Sequence, residues 1–275
     1  MKRRCCWLAA GLFALALSGC AKNESEDELE RIRQARHLYI AIQPVNVPFG
    51  FSAGIKIIGL DADLAEAISQ KINVPIRWVK RDFEELFDTL EQRKADMIVS
   101  VITITAERKK RFAFSDAYFQ SGQIIAVRKE DERKIAGLKS LEGRRIGVQG
   151  QTTGHIFAQS QPALKTSTLV TYASLDDALL KLVDHEVDAV IGDFPILVNS
   201  LEESFTNLVI VGRPLTNERY GVVLRKDEPS LLRLVNATIQ ELKSQGKLEQ
   251  MGHKWFKNYT KIQQLQGQVP PATNQ

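Results

Sequence analysis

Three polar side chains stand just beyond two apolar runs. Thr103 and Arg108 follow the run Met97 to Ile102, and Asp193 follows the run Asp188 to Ile191. A planar guanidinium can donate two parallel hydrogen bonds to a carboxylate, with a hydroxyl beside it as a further partner. A carboxylate accepts from an ammonium. An arginine soon after a strand is ordinarily solvated, and an aspartate ahead of Phe194-Pro195 is an ordinary turn residue. Brought together, Arg108 and Asp193 would instead hold a small zwitterion by its two ends.

The surrounding pattern supplies a reason for bringing them together. Phe83, Leu86, Phe87 and Leu90 make a helical stripe, Arg93-Lys94 a polar turn, and Asp96 to Val101 a buried strand. The pattern recurs as the stripe Leu175, Ala178, Leu179 and Leu182, the turn His185-Glu186 and the strand Asp188 to Ile191. Further elements alternate around both units: strand Leu38 to Gln43, helix Asp63 to Ile72, strand Ile76 to Val79 and strand Arg145 to Gln149. Such alternation predicts an α/β protein of mostly parallel sheets covered on both sides. In open α/β sheets ligands bind beyond the carboxyl ends of the strands. Two similar lobes facing each other would therefore point Val101 to Arg108 and Gly192-Asp193 into one cleft. Gln123 to Arg128 and Tyr220 to Arg225 read as the strands that connect the lobes. Leu232, Val235, Ile239 and Leu242 stripe a late helix that Gly246 stops, and Leu248 to Phe256 starts another.

The ends of the chain read differently from its body. Met1 to Arg4 is basic, Trp7 to Leu17 apolar, and Leu17-Ser18-Gly19 a small-residue cleavage site, so residues 1–19 are expected to be a signal peptide. Leu17-Ser18-Gly19-Cys20 resembles a bacterial lipobox, which implies lipidation of Cys20, a polar tether from Ala21 to Asp27 and attachment to a membrane on the periplasmic side. Loss of residues 1–19 removes Cys5 and Cys6, so a disulfide framework is excluded. It also removes Lys2, Arg3 and Arg4 and no acid. The 37 basic and 33 acidic residues thereby come close to balance, which leaves no case for nucleic acid. Lys261 to Gln275 is Gln- and Pro-rich and is expected to be disordered. Lys109-Lys110-Arg111 reads as a solvated helix face, and Asp63 with Glu66 as a helix cap. No nucleophile motif, phosphate loop or metal spacing is present, and His37, His155, His185 and His253 are scattered in sequence. No cofactor, metal or catalytic residue is expected.

The ordered motifs resemble the bacterial extracellular solute-binding proteins of family 3, the amino-acid-binding proteins of ABC importers, from about Glu28 to Tyr259. They are Gly59-Leu60-Asp61-Ala62-Asp63-Leu64, Thr103-Ile104-Thr105-Ala106-Glu107-Arg108, Phe114-Ser115-Asp116-Ala117-Tyr118, Gly147-Val148-Gln149 with Thr152-Thr153-Gly154, Asp188 to Asp193, and Lys254-Trp255-Phe256. The resemblance implies the periplasmic-binding-protein type II fold, two α/β lobes joined by a two-strand hinge. Residues 37–119 with 218–260 would form lobe 1 and residues 120–217 lobe 2, after a tether and first helix over residues 20–36.

The resemblance also implies roles. Arg108 clamps a ligand α-carboxylate, Thr103 adds its N–H and hydroxyl, and Thr153 opens a helix whose free N–H groups reach the same carboxylate. Asp193 accepts from the α-ammonium with the Val101 carbonyl assisting, and Phe83 packs on the ligand side chain unless it belongs to the core. Gln43 stands where relatives that take cationic amino acids carry an acid, Asn46 where an aromatic lid is usual, and Gln151 where a glycine is usual. Those departures point to an L-amino acid with a polar, uncharged side chain, such as glutamine. The partners implied are that ligand and an ABC permease, with the protein itself a monomer. Two alternatives remain open: an enzyme like cyclohexadienyl dehydratase on the same fold, and a ligand sensor for a membrane receptor.

Overall fold

A computed structural model describes residues 27–271. It contains two five-stranded sheets of the same order and sense. In the first, Ile76–Lys80, Leu38–Ile42 and Met97–Ile98 run parallel, Val223–Leu224 lies antiparallel beside them, and Ala113–Phe114 pairs antiparallel with that. In the second, Thr168–Tyr172, Arg145–Gln149 and Ala189–Asp193 run parallel, followed antiparallel by Gln123–Arg128 and then Leu208–Val211. These are the two lobes of a periplasmic-binding-protein type II fold.

The repeat extends to single residues. Asp96 accepts from the Tyr39 N–H at 2.7 Å and returns its own N–H to the Tyr39 carbonyl at 2.8 Å. Asp188 makes the same exchange with Arg145, at 2.9 Å and 2.7 Å. Each aspartate thus locks the start of its strand to the neighbouring strand, which fixes where the far, carboxyl end emerges. The helical stripes do what their spacing predicts. Leu175–Val183 buries Leu175, Ala178, Leu179 and Leu182 and is capped by Ser174, whereas the first copy opens as a 3-10 turn, Phe83–Glu85, before the helix Leu86–Glu91.

Three expectations are corrected. The helix expected from Asp63 begins at Leu60. Gly59 precedes it with φ 124°, and a Cβ there would lie 2.0 Å from the Phe49 carbonyl oxygen, so backbone contact sets this start. Asp63 is no cap; its carboxylate takes the Lys254 ammonium at 2.8 Å and the Trp255 indole N–H at 2.7 Å.

The strands expected to connect the lobes lie inside them. Gln123–Arg128 is buried along its whole length, held on both edges in the second sheet, and Val223–Leu224 belongs to the first. The crossings are the antiparallel pair Phe119–Ser121 and Glu218–Tyr220, which form a two-stranded sheet of their own.

Lys261 to Gln266, expected to be disordered, belongs to the helix Tyr259–Gln266, capped by Asn258. Ile262 and Leu265 form a short apolar stripe in the Gln-rich segment and are buried. Lys261 reaches Glu202 at 3.4 Å and the Gln266 amide donates to the Gln120 carbonyl at 3.0 Å. The chain therefore returns from lobe 1 to lobe 2 behind the hinge. The signal peptide, the proposed lipidation at Cys20 and residues 272–275 lie outside the described residues. Among the described residues no helix is long and apolar enough to cross a membrane.

Candidate functional site

The strand ends converge on a cavity between the lobes. Arg108, Thr103, Val101 and Phe83 line it from lobe 1, with Asp193 and Thr153 facing them from lobe 2. Its volume is about 30 Å³, room for little more than water in this arrangement of the lobes.

On the lobe 1 side the turn after Met97–Ile98 is forced. Val101 has φ 48°, a left-handed conformation that a β-branched residue rarely adopts. Asp61 holds it there: one carboxylate oxygen accepts from the Val101 N–H at 3.0 Å and the other from the Tyr118 hydroxyl at 2.8 Å. Asp61 is fully buried, and burial pushes its carboxyl up to about 7. The chain, turned at Val101, bridges Thr103 to Tyr220 in the hinge. It then enters the helix Ala106–Arg111, whose cap Thr105 accepts from the Arg108 N–H. The Arg108 guanidinium folds back to donate to the Thr103 carbonyl at 2.9 Å. It lies 5.7 Å from the Phe83 ring centre and 5.3 Å from that of Phe87, within cation–π range. Phe83 thus serves both as packing for the arginine and as cavity wall. Burial lowers the Arg108 pKa to about 10, opposed by the Glu218 and Asp193 carboxylates.

On the lobe 2 side Asp193 ends the strand Ala189–Asp193. It accepts from the Gln123 amide at 2.6 Å and, through a short hydrogen bond, from the Tyr220 hydroxyl. Burial and the Glu218 carboxylate push its pKa up to about 7. Thr152 caps the helix Thr153–Ser160. Gly154 lets the Gln123 amide lie against that first turn, where a Cβ would come within 2.5 Å of its oxygen.

Contacts already span the lobes. Gln149 donates to the Gln43 side-chain amide oxygen at 3.1 Å, Gln43 donates to the Ala173 backbone carbonyl at 3.4 Å, and the Thr103 and Thr153 hydroxyl oxygens are 3.4 Å apart. Asn46 donates to the Gln43 backbone carbonyl at 3.4 Å and shares the wall with Gln43. Gln151 does not join them. Its backbone is left-handed, φ 58°, its side chain is exposed, and Gln149 at the strand end reaches the cavity instead.

Sequence reading missed Gln149, Gln123, Tyr220 and above all Glu218. These come from the hinge and from strand residues read only as scaffold, and Glu218 is separated from its partner Thr103 by 115 positions. Among the described residues no group of three or more His, Cys, Asp or Glu side chains is placed to hold a metal ion. The arrangement suits a molecule that carries an anion toward Arg108 and a cation toward Asp193.

Residues 38–258 match the family described as bacterial extracellular solute-binding proteins, family 3. The chain belongs to this family. Among its relatives, ABC transporter arginine-binding protein 1 of Escherichia coli (strain K12) is 28% identical over 81% of this chain and 91% of its own length. The ABC transporter glutamine-binding protein GlnH of Bacillus subtilis (strain 168) is 29% identical over 86% of this chain and 87% of its own length. A crystal structure of a mutant of ArgBP from T. maritima superposes with a TM-score of 0.78 at 33% identity, covering 83% of this chain and 98% of that one. The family match spans both lobes and both hinge crossings, so the cleft is made entirely from residues within it.

Proposed function

We propose that this protein captures an L-amino acid with a polar, uncharged side chain, L-glutamine being the first candidate, and delivers it to an ABC importer. The observation that carries the reading is the make-up of the cavity wall. Among the described residues that line it, Arg108 and Asp193 are the only ionisable side chains, one basic and one acidic, and the amides of Gln43, Asn46 and Gln149 share it. One cation and one anion satisfy a zwitterion's two ends, and amides are suited to a neutral polar side chain. A cationic side chain buried there would lack a counter-charge of its own. The relatives named above divide between arginine and glutamine, which leaves the side chain to be decided by this wall.

Arg108 takes the α-carboxylate and Asp193, with the Val101 carbonyl, the α-ammonium. Phe83 packs against the aliphatic part. Because these groups come from both lobes, the ligand stabilises the closed arrangement about Phe119–Ser121 and Glu218–Tyr220, and a permease reads that closure. Residues 1–19 and Cys20 support a lipid-anchored form working on the periplasmic side.

A thermal-shift screen of the purified protein against the twenty amino acids, arogenate and prephenate tests this. L-Glutamine is expected to give the largest rise in melting temperature, with prephenate unconsumed on incubation. Stabilisation by arginine or lysine alone would overturn the choice of side chain, and loss of prephenate would make the protein an enzyme.

The raised Asp193 pKa predicts a pH dependence. In the free protein the group holds a proton below about pH 7, and an incoming ammonium favours the carboxylate. Affinity should therefore fall as pH drops below 7, by up to about tenfold per unit, and level off above it. Asp193→Asn should remove that slope in calorimetric titrations from pH 5 to 8.

A further inference from the structure

Glu218 lies behind the cavity wall on the hinge strand Glu218–Tyr220 and is 8% exposed. Its carboxylate accepts four hydrogen bonds. The Thr103 hydroxyl donates to one oxygen at 2.9 Å and the Thr153 hydroxyl to the same oxygen at 2.8 Å. The Thr216 hydroxyl donates to the other at 2.8 Å, and the Gln123 amide joins it at 3.1 Å. All four lone-pair positions of the carboxylate are filled.

The consequence follows from counting protons. A threonine hydroxyl has a single proton and two lone pairs. With their protons committed to Glu218, Thr103 and Thr153 turn only lone pairs toward the cavity they line. Asp193, on the same wall, is likewise an acceptor. The Gln123 amide spends its protons on Asp193 and Glu218, with Thr153 at 3.3 Å, and its own oxygen is buried without a partner. The part of the wall formed by Thr103, Thr153 and Asp193 thus offers side-chain acceptors and commits its hydroxyl protons elsewhere.

We propose that Glu218 is a specificity-determining positioning residue: by holding the protons of Thr103 and Thr153 it makes this wall accept only, and so demands an amine on the ligand. The proposal rests on the amino-acid reading above and reassigns the two hydroxyls. They face the ammonium, and the carboxylate is left to Arg108 and backbone N–H groups. An analogue lacking the amine leaves the Asp193 carboxylate and the two threonine oxygens without a donor, a combination that a site built for hydrogen bonding rejects strongly.

Calorimetry with two probe pairs tests this: L-glutamine against glutaramic acid, its desamino form, and L-arginine against 5-guanidinopentanoic acid. The wild-type protein should prefer the amine-bearing member of the pair it binds by roughly a hundredfold or more. In Glu218→Gln the new amide can donate to a threonine oxygen and free a hydroxyl proton, so the preference should shrink by about tenfold or more. Thr103→Val, which removes one acceptor, should shrink it too and serves if Glu218→Gln folds poorly. If each variant weakens both members of a pair by the same factor, Glu218 is structural only and the proposal falls. If the wild-type protein binds neither amino acid, the amino-acid reading falls and takes the proposal with it. Binding of the amino acid with no wild-type preference for the amine overturns the proposal alone.

Discussion

Arg108→Ala is expected to weaken L-glutamine binding on the order of a hundredfold or more. Charged hydrogen bonds contribute about 1.5–3 kcal/mol each, and truncating one partner of a buried charge pair costs about 2–5 kcal/mol. The half-buried guanidinium stacks over Phe83 and Phe87, is anchored to the Thr103 carbonyl, and lines the cavity. Arg108→Lys should recover little of the loss. An ammonium lacks the planar fork that pairs with a carboxylate and stacks on two rings. Asp193→Asn should cost at least about tenfold, since it keeps the hydrogen bond and loses the charge. Isothermal calorimetry at pH 7.5, with melting temperatures recorded for each variant, separates lost binding from lost folding. Unchanged affinity in Arg108→Ala would remove the arginine from the site.

The second large effect concerns stability at the base of lobe 1, far from the cleft. Arg225 is buried at 7% exposure between two acidic residues. Its guanidinium reaches Glu28 at 2.8 Å and makes a short contact with Glu228. It also donates to the carbonyls of Leu90 at 2.8 Å and Ala95 at 2.7 Å. It thereby ties the helix Glu28–Ala35, the end of the helix Leu86–Glu91 and the start of the helix Pro229–Ser244 to one point. Burial pushes Glu228 up to about 7 even with Arg225 present. Arg225→Ala leaves Glu28 and Glu228 facing each other, with the more exposed Arg31 and Arg93 as their remaining cations. Breaking a buried pair from one side costs about 3–5 kcal/mol, which lowers the melting temperature by roughly 10 °C or more in a chain of this size.

The sign with pH follows from the same charges. Without Arg225 the two carboxylates favour protonation in the folded state, so their folded pKa rises above the unfolded value. The variant's deficit should then grow as pH rises through the range above the ordinary carboxylate pKa and shrink toward pH 5. Adding Glu228→Gln should recover part of the loss at pH 7.5. An Arg225→Ala protein that melts like the wild type would show that the cluster contributes nothing.

That Arg108 and Asp193 face one cavity was legible in the sequence because both sit at the carboxyl ends of two strands built on one pattern. Asp96 and Asp188 mark the starts of those strands, and Arg108 and Asp193 follow their ends. What the sequence hid has a common physical cause, which is that it depends on chain crossings rather than local periodicity. Glu218 carries no spacing signal relative to Thr103 or Thr153; only the hinge pairing of Glu218–Tyr220 with Phe119–Ser121 puts its carboxylate between them. Gln123 to Arg128 was readable as an extended apolar run, but a run that bridges lobes and one buried in a sheet look alike until their neighbours are known. Gln149 and Gln151 lie two apart in one loop approach, and the left-handed backbone at Gln151 decides which of them faces the cleft. The Gln-rich C-terminal segment concealed Ile262 and Leu265, three residues apart, whose burial needs a surface that only the folded lobe 2 provides.

In the proposed complex the two lobes grip an α-amino acid by its charged ends. A crystal structure of the protein with L-glutamine bound tests it most directly. The α-carboxylate is expected in hydrogen-bond contact with the Arg108 guanidinium, the α-ammonium on Asp193, and the side-chain amide among Gln43, Asn46 and Gln149. An amino acid seated with its carboxylate away from Arg108, or bound outside the cleft between the lobes, would contradict it.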